Sequence, residues 1–302
     1  MSLGHVAGAG VMRNSIAEKL NAKLTQSQRA ALITLLADDD PTVYQSIRGK
    51  ILASGPAAAD WLRAHALSKD PILRRRVQEI LQHFARQAAD NAFLGFCLKN
   101  QGANFDLETA LWLLARTRYP DLNIDAYQAQ LDDYAATLLE RITPAAKPKR
   151  TLTTINQLLF EELGFKGDEE DYYAPENSYL NCVIDRRRGN PISLCLIYLL
   201  LTSRLKMPVV GIGLPGHFLA RYQDSATEIY IDAFYQGRFL TKNDCIHHLV
   251  HENYSLDEAH FSPATPHRIL MRVCANLYQS HRSAKQEAEA TRFQRYIMAL
   301  AR

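Results

Sequence analysis

The chain has 302 residues, of which 47% are apolar and 22% are charged, so it is long enough for two or more domains with sizeable cores. A net charge of +3 argues against a protein that binds nucleic acid or a membrane surface mainly by charge. Five cysteines without a CxxC pair argue against a disulfide framework and a structural zinc site, and favour a reducing cytoplasm. The N-terminus lacks the apolar run of a signal peptide, and the longest apolar stretch, LCLIYLLL, is too short to span a bilayer.

Residues 1–24 are predicted to be flexible, and residues 25–100 show helical periodicity. Two turns in this region contain an Asp–Pro pair, at Asp40-Pro41 and Asp70-Pro71. Aspartate caps a helix, and proline fits the first helical position without losing a hydrogen bond. The repeated unit resembles HEAT-type repeats, whose helical pairs stack around a continuous core. An ordinary helical domain with two capped turns is the alternative.

Residues 101–165 are again helical, with Asp106 as a predicted cap. The short basic segment 143–150 is interpreted as a connection rather than a nucleic-acid patch. The acidic segment 166–178 is interpreted as a solvated loop, because its carboxylates lack the spacing of metal ligands.

Beyond Met207 the pattern changes to short β-branched and aromatic runs bounded by Pro and Gly. Strands are predicted over 209–213, 217–222 and 228–233, packed on a buried helix over 190–206. This arrangement predicts an α+β unit. Residues 263–302 are predicted to form a single helical hairpin, which resembles a tetratricopeptide unit.

Two of the predicted strands place a histidine beside a carboxylate. A symmetric hairpin centred between residues 224 and 225 pairs His217 with Asp232, and directly opposed residues share one face of a sheet. A carboxylate can hold one ring N–H of a histidine and leave the other nitrogen as a base.

The buried helix has a clear start signal, with Asn190 as cap and Pro191 at the first helical position. A helix N-terminus that faces a His–Asp pair is typical of thiol enzymes, because its dipole and free N–H groups stabilise a thiolate. Cys195 and Ser193 are therefore the candidate nucleophiles of this helix.

The segment NSYLNCVIDRRRGNPISLCLIYLLLTSRLKMPVVGIGLPGHFLARY is similar to the SirB-type transglutaminase-like family of bacteria, a module that also occurs in some eukaryotic F-box proteins. The resemblance spans about residues 106–302. It implies a transglutaminase-like domain over 101–262, with a helical lead-in at 101–165 and a core at 177–250. It also implies a papain-like core with an antiparallel sheet, a HEAT-like extension upstream, and a function that is poorly defined across the family.

The resemblance also bears on the nucleophile. Enzymes of the wider superfamily begin their central helix with Gly-x-Cys, and alignment on RLKMP places that cysteine at Pro191 or Ile192 in this chain. Neither residue can attack a substrate. Cys195 lies about one turn deeper, where a small buried apolar role is expected. Ser193 is closer to the site, but its hydroxyl is expected to bond the amides of the first turn.

Other residues are candidates for binding or metal sites. Arg188 and Asn190, beside the Gly189 turn, are candidate binding residues, and the arginine run 186–188 could instead pair with carboxylates such as Asp185. His247 and His251 are four residues apart, which suits a metal face, but an exposed helix is favoured because no further ligand has a clear spacing. No metal or cofactor is predicted.

The sequence thus predicts a mostly helical protein with an α+β transglutaminase-like core between helical repeats. The leading function is a non-catalytic or weakly catalytic, possibly regulatory, module that binds a protein or peptide partner. The alternative is a hydrolase or acyltransferase that uses His217 and Asp232, with Ser193 or Cys195 as nucleophile. No membrane association is expected. No direct nucleic-acid binding is expected either, because the net charge is near neutral and a helix–turn–helix signature is absent.

Overall fold

The computed structural model describes residues 24–100, 102, 104–143 and 145–301. The chain divides into two compact units, one ending at Asp90 and the other beginning at Asn91. The flexible segment predicted over 1–24 lies outside the described residues, apart from Leu24. The sequence-based limits of the HEAT-like and transglutaminase-like regions stay predictions.

The first unit is helical throughout its regular structure. Its helices are α1 (Gln26–Leu36), α2 (Pro41–Ala53), α3 (Ala58–Leu62) and residues 71–90 of α4 (Pro71–Lys99). As predicted, both Asp–Pro pairs start helices: Asp40 accepts the N–H of Thr42 at 2.7 Å, and Asp70 accepts that of Ile72 at 2.8 Å. The helices enclose one apolar core, and their likeness to HEAT repeats stays a prediction.

The second unit contains the remaining elements. Its helices are residues 91–99 of α4, α5 (Leu107–Arg118), α6 (Ile124–Arg141), α7 (Pro148–Asn156) continued by a π-helical turn, α8 (Leu180–Arg186), α9 (Pro191–Arg204), α10 (Lys242–His251), α11 (Pro266–Ser283) and α12 (Glu287–Leu300). Its strands are β1 (Lys166–Gly167), β2 (Arg188–Gly189), β3 (Val209–Ile212), β4 (Leu219–Gln223), β5 (Glu228–Asp232) and β6 (Arg238–Leu240).

Helix α9 is the centre of the second unit. Its sequence is apolar on nearly every face, and almost all of its residues are buried. It packs against α6, α8, β3 and β4. Asn190 caps it and Pro191 occupies the first helical position, as predicted.

The four longer strands form one antiparallel sheet in the order β3-β4-β5-β6, while β1 and β2 form a short parallel pair. The predicted hairpin register was wrong by two residues, because Ala220 pairs with Ile231 rather than Ile229.

The turn is centred between residues 225 and 226, one residue later than predicted. The N–H of Asp224 donates to the Thr227 carbonyl at 3.0 Å, and the Asp224 side chain accepts hydrogen bonds from the N–H groups of Ala226 and Thr227. A shift of two residues leaves the side chains of the paired strands on their predicted faces. The predicted start of the second strand at His217 was wrong, because β4 begins at Leu219 and His217 lies in the preceding turn.

Helices α11 and α12 form the predicted C-terminal hairpin, and α11 also contacts α5. The predicted fold class is confirmed: the protein is mostly helical, with a small antiparallel sheet in an α+β core. The likeness of the hairpin to a tetratricopeptide unit stays a prediction.

Candidate functional site

A tight turn places His217 next to the sheet. The turn runs from Leu214 to His217, whose N–H donates to the Leu214 carbonyl at 3.2 Å. Pro215 and Gly216 hold its two central positions, and Gly216 has a φ of +71°. A positive φ at the third residue of a turn, directly after a proline, is typical of a type II turn, which favours glycine at that position.

His217 is paired with Asp232, the last residue of β5. Nε2 of the imidazole lies 2.8 Å from Oδ2 of the carboxylate, and both side chains are largely buried. The other oxygen, Oδ1, accepts the N–H groups of Phe234 and Tyr235 at 3.2 and 3.4 Å. The carboxylate is therefore held in place and orients the ring, so that Nδ1 is the ring nitrogen left without a protein partner among the described residues.

The start of α9 is closed by hydrogen bonds within its own first turn. Asn190 Oδ1 accepts the N–H of Ser193 at 3.0 Å, and Ser193 Oγ accepts the N–H of Asn190 at 3.0 Å. Asn190 Nδ2 also donates to Ser178 Oγ at 2.9 Å. Pro191 has no N–H, so few free donors remain at this helix end to stabilise an anion. Ser193 is buried, and its hydroxyl donates to the Asn190 carbonyl at 3.1 Å.

Cys195 lies in the core. Its side chain is fully buried, and its Sγ donates to the Phe218 carbonyl at 3.4 Å. Burial, with a smaller contribution from Asp232, raises the pKa of the Cys195 thiol far above its ordinary value. The thiol is therefore protonated at neutral pH, as expected for a small apolar residue.

A cavity of about 570 Å³ opens beside the His–Asp pair. His217, Asp232 and Pro191 all line it, so the residue that α9 contributes to this cavity is a proline. Helix α10 adds His247 and His248, and the ring centroid of His248 lies 5.9 Å from that of His217. The remaining walls include four aromatic side chains: Tyr172, Phe234, Tyr235 and Tyr254.

Two features of this cavity were missed by the sequence-based predictions. His247 and His248 are exposed on α10 as predicted, but the prediction did not place them beside His217. Cys245 also lines the cavity, although its side chain is buried and burial raises its pKa to about 12. No local sequence pattern indicates either feature, because the positions of these side chains beside the cavity depend on how α10 packs after β6.

The arginine run serves mainly to hold the segments around α9. Arg186 and Arg188 flank Asp168, at 3.2 and 3.5 Å, and Asp168 is buried. Arg188 also pairs with Glu170 at 3.2 Å. Asp185, the partner suggested from the sequence, was wrong. Its carboxylate accepts a hydrogen bond from the Tyr127 hydroxyl at 2.7 Å, and the arginines pair instead with Asp168 of the acidic loop.

A second cavity, of about 530 Å³, lies on the other side of Pro191. Tyr172, Pro191 and Gly216 line both cavities, so the two adjoin across the start of α9. Helix α11 supplies Arg272 and Asn276 to the second cavity.

Within the described residues, no group of three or more His, Cys, Asp or Glu side chains is arranged to hold a metal ion. A search of the same residues finds no helix with the length and apolar character needed to cross a bilayer.

Comparison with known proteins identifies the family of this arrangement. Residues 125–275, half of the chain, match a family model described as the transglutaminase-like superfamily. The chain belongs to the transglutaminase-like superfamily. The match contains the His217–Asp232 pair, the start of α9 and most of α11. The narrower SirB-type assignment stays a prediction.

Several relatives align with most of this region. A UPF0162 protein of Xylella fastidiosa is 35% identical over 202 residues, which are 64% of this chain and 71% of that protein. A UPF0162 protein of Pseudomonas aeruginosa is 29% identical over 200 residues, with the same coverage. F-box only protein 21 of Mus musculus is 35% identical over 136 residues, which are 42% of this chain but only 21% of the mouse protein. No solved structure gives a significant match.

Proposed function

We propose that this protein is a non-catalytic transglutaminase-like module that binds a protein or peptide partner in the cleft formed by its two cavities. The observation that carries the proposal is the residue that α9 contributes to the cavity of the His217–Asp232 pair. That residue is Pro191, while the two candidate nucleophiles of α9 are buried and do not line the cavity. Ser193 is engaged in the cap of its own helix, and Cys195 bonds a carbonyl inside the core.

The shape and lining of the cleft support a peptide ligand. The two cavities share three lining residues, and four exposed tyrosines line one or both of them, namely Tyr172, Tyr173, Tyr235 and Tyr254. Aromatic side chains supply large contact areas at low cost in conformational entropy, and tyrosines are enriched where proteins bind other proteins. The match to a short part of F-box only protein 21 supports a module that is combined with other domains.

The alternative function is a hydrolase or acyltransferase that uses His217 and Asp232. It is favoured by one observation, the free Nδ1 of an imidazole whose other nitrogen is fixed by a buried carboxylate. It requires Ser193 or Cys195 to leave its present hydrogen bonds and reach that nitrogen.

A regulatory role and a cytoplasmic location complete the proposal. The five cysteines are all buried and unpaired, which fits a reducing compartment. Bound metal or cofactor is not part of the proposed function.

The proposal is tested by selection and binding. Random twelve-residue peptides displayed on phage are selected on the full-length protein, and the selected peptides are measured by fluorescence anisotropy. We expect Tyr172→Ala to weaken binding by about tenfold or more, because Tyr172 lines both cavities. Leu139→Ala, on an exposed position of α6 outside both cavities, is the control and should bind as the wild type does.

Two results would count against the proposal. One is a set of selected peptides that bind Tyr172→Ala as tightly as the wild type. The other is cleavage or acyl transfer on a selected peptide that stops in His217→Ala, which would establish the enzyme alternative instead.

A further inference from the structure

The second cavity contains a cation without an anionic partner. Arg272, on α11, donates from Nη1 to the Leu214 carbonyl and from Nη2 to the His217 carbonyl, both at 2.8 Å. Its guanidinium also lies over the ring of Phe218, 5.5 Å from the centroid. Among the described residues, no carboxylate forms an ion pair with it. Burial lowers the pKa of Arg272, although an arginine remains charged at neutral pH.

The walls of this cavity favour an anion. Its described lining includes Arg272, the carboxamides of Asn276 and Gln279, and the phenols of Tyr172 and Tyr173, but no aspartate or glutamate. The first cavity differs, because its lining combines Asp232, Asp244 and Glu252 with Arg238 and three histidines. Carboxylates therefore line the first cavity, whereas the described lining of the second contains a cation and no carboxylate.

The position of the cation is fixed before any ligand arrives. Two carbonyls each accept one N–H of the guanidinium, one from each terminal nitrogen. A guanidinium has five N–H groups in all, so three remain. The remaining donors can form charge-assisted bonds with a carboxylate, and little side-chain entropy is left to lose. A bound anion also stabilises a half-buried cation that has only carbonyl partners more than it stabilises an exposed cation.

We infer that the second cavity binds a carboxylate of the peptide ligand, with Arg272 as its ion-pair partner and Asn276 beside it as a hydrogen-bonding group. This inference rests on the proposed function for the identity of the ligand as a peptide. The carboxylate belongs to an acidic side chain or to the C-terminus, two sources with the same chemistry. The direction of the peptide follows, with its acidic group on the α11 side of Pro191.

The test uses small probes that separate the two sources. The Nε–H signal of Arg272 is followed by ¹H–¹⁵N NMR while the full-length protein is titrated to millimolar concentrations. N-acetyl-glutamate N-methylamide carries a side-chain carboxylate, N-acetyl-alanine carries a terminal one, and N-acetyl-glutamine N-methylamide carries neither. We expect a saturable shift with at least one of the two carboxylates and none with the neutral probe.

A carboxylate built into the wall of this cavity provides the decisive variant. Asn276→Asp places an anion four residues from Arg272 on the same helix, without removing the two carbonyl contacts. We expect it to weaken carboxylate binding by about tenfold or more, the loss of one charge-assisted interaction. Asn243→Asp, an exposed and equally isosteric change on α10, is the control and should bind as the wild type does.

Several outcomes would overturn the inference: no shift with either carboxylate, equal shifts with the neutral probe, or undiminished binding in Asn276→Asp. If the carboxylate probes fail while selected peptides still bind, this inference falls and the proposed function stands. If the probes bind but no peptide does, the carboxylate site of Arg272 stands and the proposed function falls.

Discussion

The strand side and the helix side of the first cavity differ in the polar groups they present. On the strand side, His217 and Asp232 keep the geometry of a working base, with one ring nitrogen fixed and the other free. On the helix side, Pro191 lines the same cavity, and the polar groups of the first turn are bonded to each other. A His–Asp pair therefore does not by itself indicate a reaction, because a buried carboxylate and imidazole satisfy one another whether or not a nucleophile is present.

The largest expected effect is on the strand side. Asp232→Ala leaves the largely buried His217 ring and the N–H groups of Phe234 and Tyr235 without an acceptor, and should lower the free energy of unfolding by about 3 kcal/mol. Asp232→Asn is the matched control and should lose roughly half as much, since its amide oxygen can still accept. Urea unfolding measures both, and a loss near zero for Asp232→Ala would deny the pair its structural role.

The turn that positions His217 should be the next most sensitive element. In Gly216→Ala, the new Cβ would lie 2.8 Å from Tyr254 Oη at a φ of +71°, so a loss of about 2 kcal/mol is expected from strain and collision. Gly95→Ala is the control, because its Cβ meets nothing within 4 Å and alanine is favoured in the helix α4. Melting curves in which the two variants are equally stable would contradict this account.

The helix side can be sharpened by returning a thiol to it. Pro191→Cys places a sulfur on the cavity wall shared with His217, where an imidazole can lower its pKa. We expect the new cysteine to react with iodoacetamide about tenfold or more faster than the same residue in the double variant with His217→Ala. Mass spectrometry identifies the labelled cysteine. Equal labelling rates in the single and the double variant would show that a side chain at position 191 does not interact with His217.

The smallest effect concerns the cap of α9. Ser193→Ala removes one acceptor from the buried capping box and should lower the free energy of unfolding by about 1 kcal/mol. Thr241→Ala, in the exposed capping box of α10, provides the comparison and should lose slightly less. If Ser193→Ala is neutral, the interpretation of Ser193 as a capping residue fails.

Local signals predicted a large part of this arrangement. Asn190 and Pro191 specified the start of α9, and the predicted hairpin brought His217 close to Asp232 although the register was wrong by two. Because side chains alternate with a period of two, the error kept the residues of β4 and β5 on their predicted faces, while His217 reaches Asp232 from the turn before β4. The buried position of Cys195 followed from its depth in an apolar helix.

Long-range packing was beyond the sequence. Nothing local links His248 to His217, or Arg272 to the carbonyls on either side of Gly216, because these contacts depend on how α10 and α11 return to the sheet. The choice of Asp168 over Asp185 as partner of the arginines is of the same kind. Proximity in sequence favoured Asp185, while the parallel pairing of β1 with β2 brings Asp168 to the arginines.

The central claim, that α9 supplies no nucleophile to the His217–Asp232 pair, is tested most directly by the reactivity of Cys195 in the native protein. Iodoacetamide labelling near neutral pH is followed by mass spectrometry in the wild type and in His217→Ala. Urea-unfolded protein is the reference for an accessible thiol. A fluorophosphonate probe reports on Ser193 in parallel. We predict that native Cys195 labels far more slowly than the unfolded reference, at a rate that does not fall in His217→Ala, and that Ser193 is not modified. Fast labelling of Cys195, or fluorophosphonate attachment at Ser193, that collapses without His217 would contradict the claim and identify an enzyme.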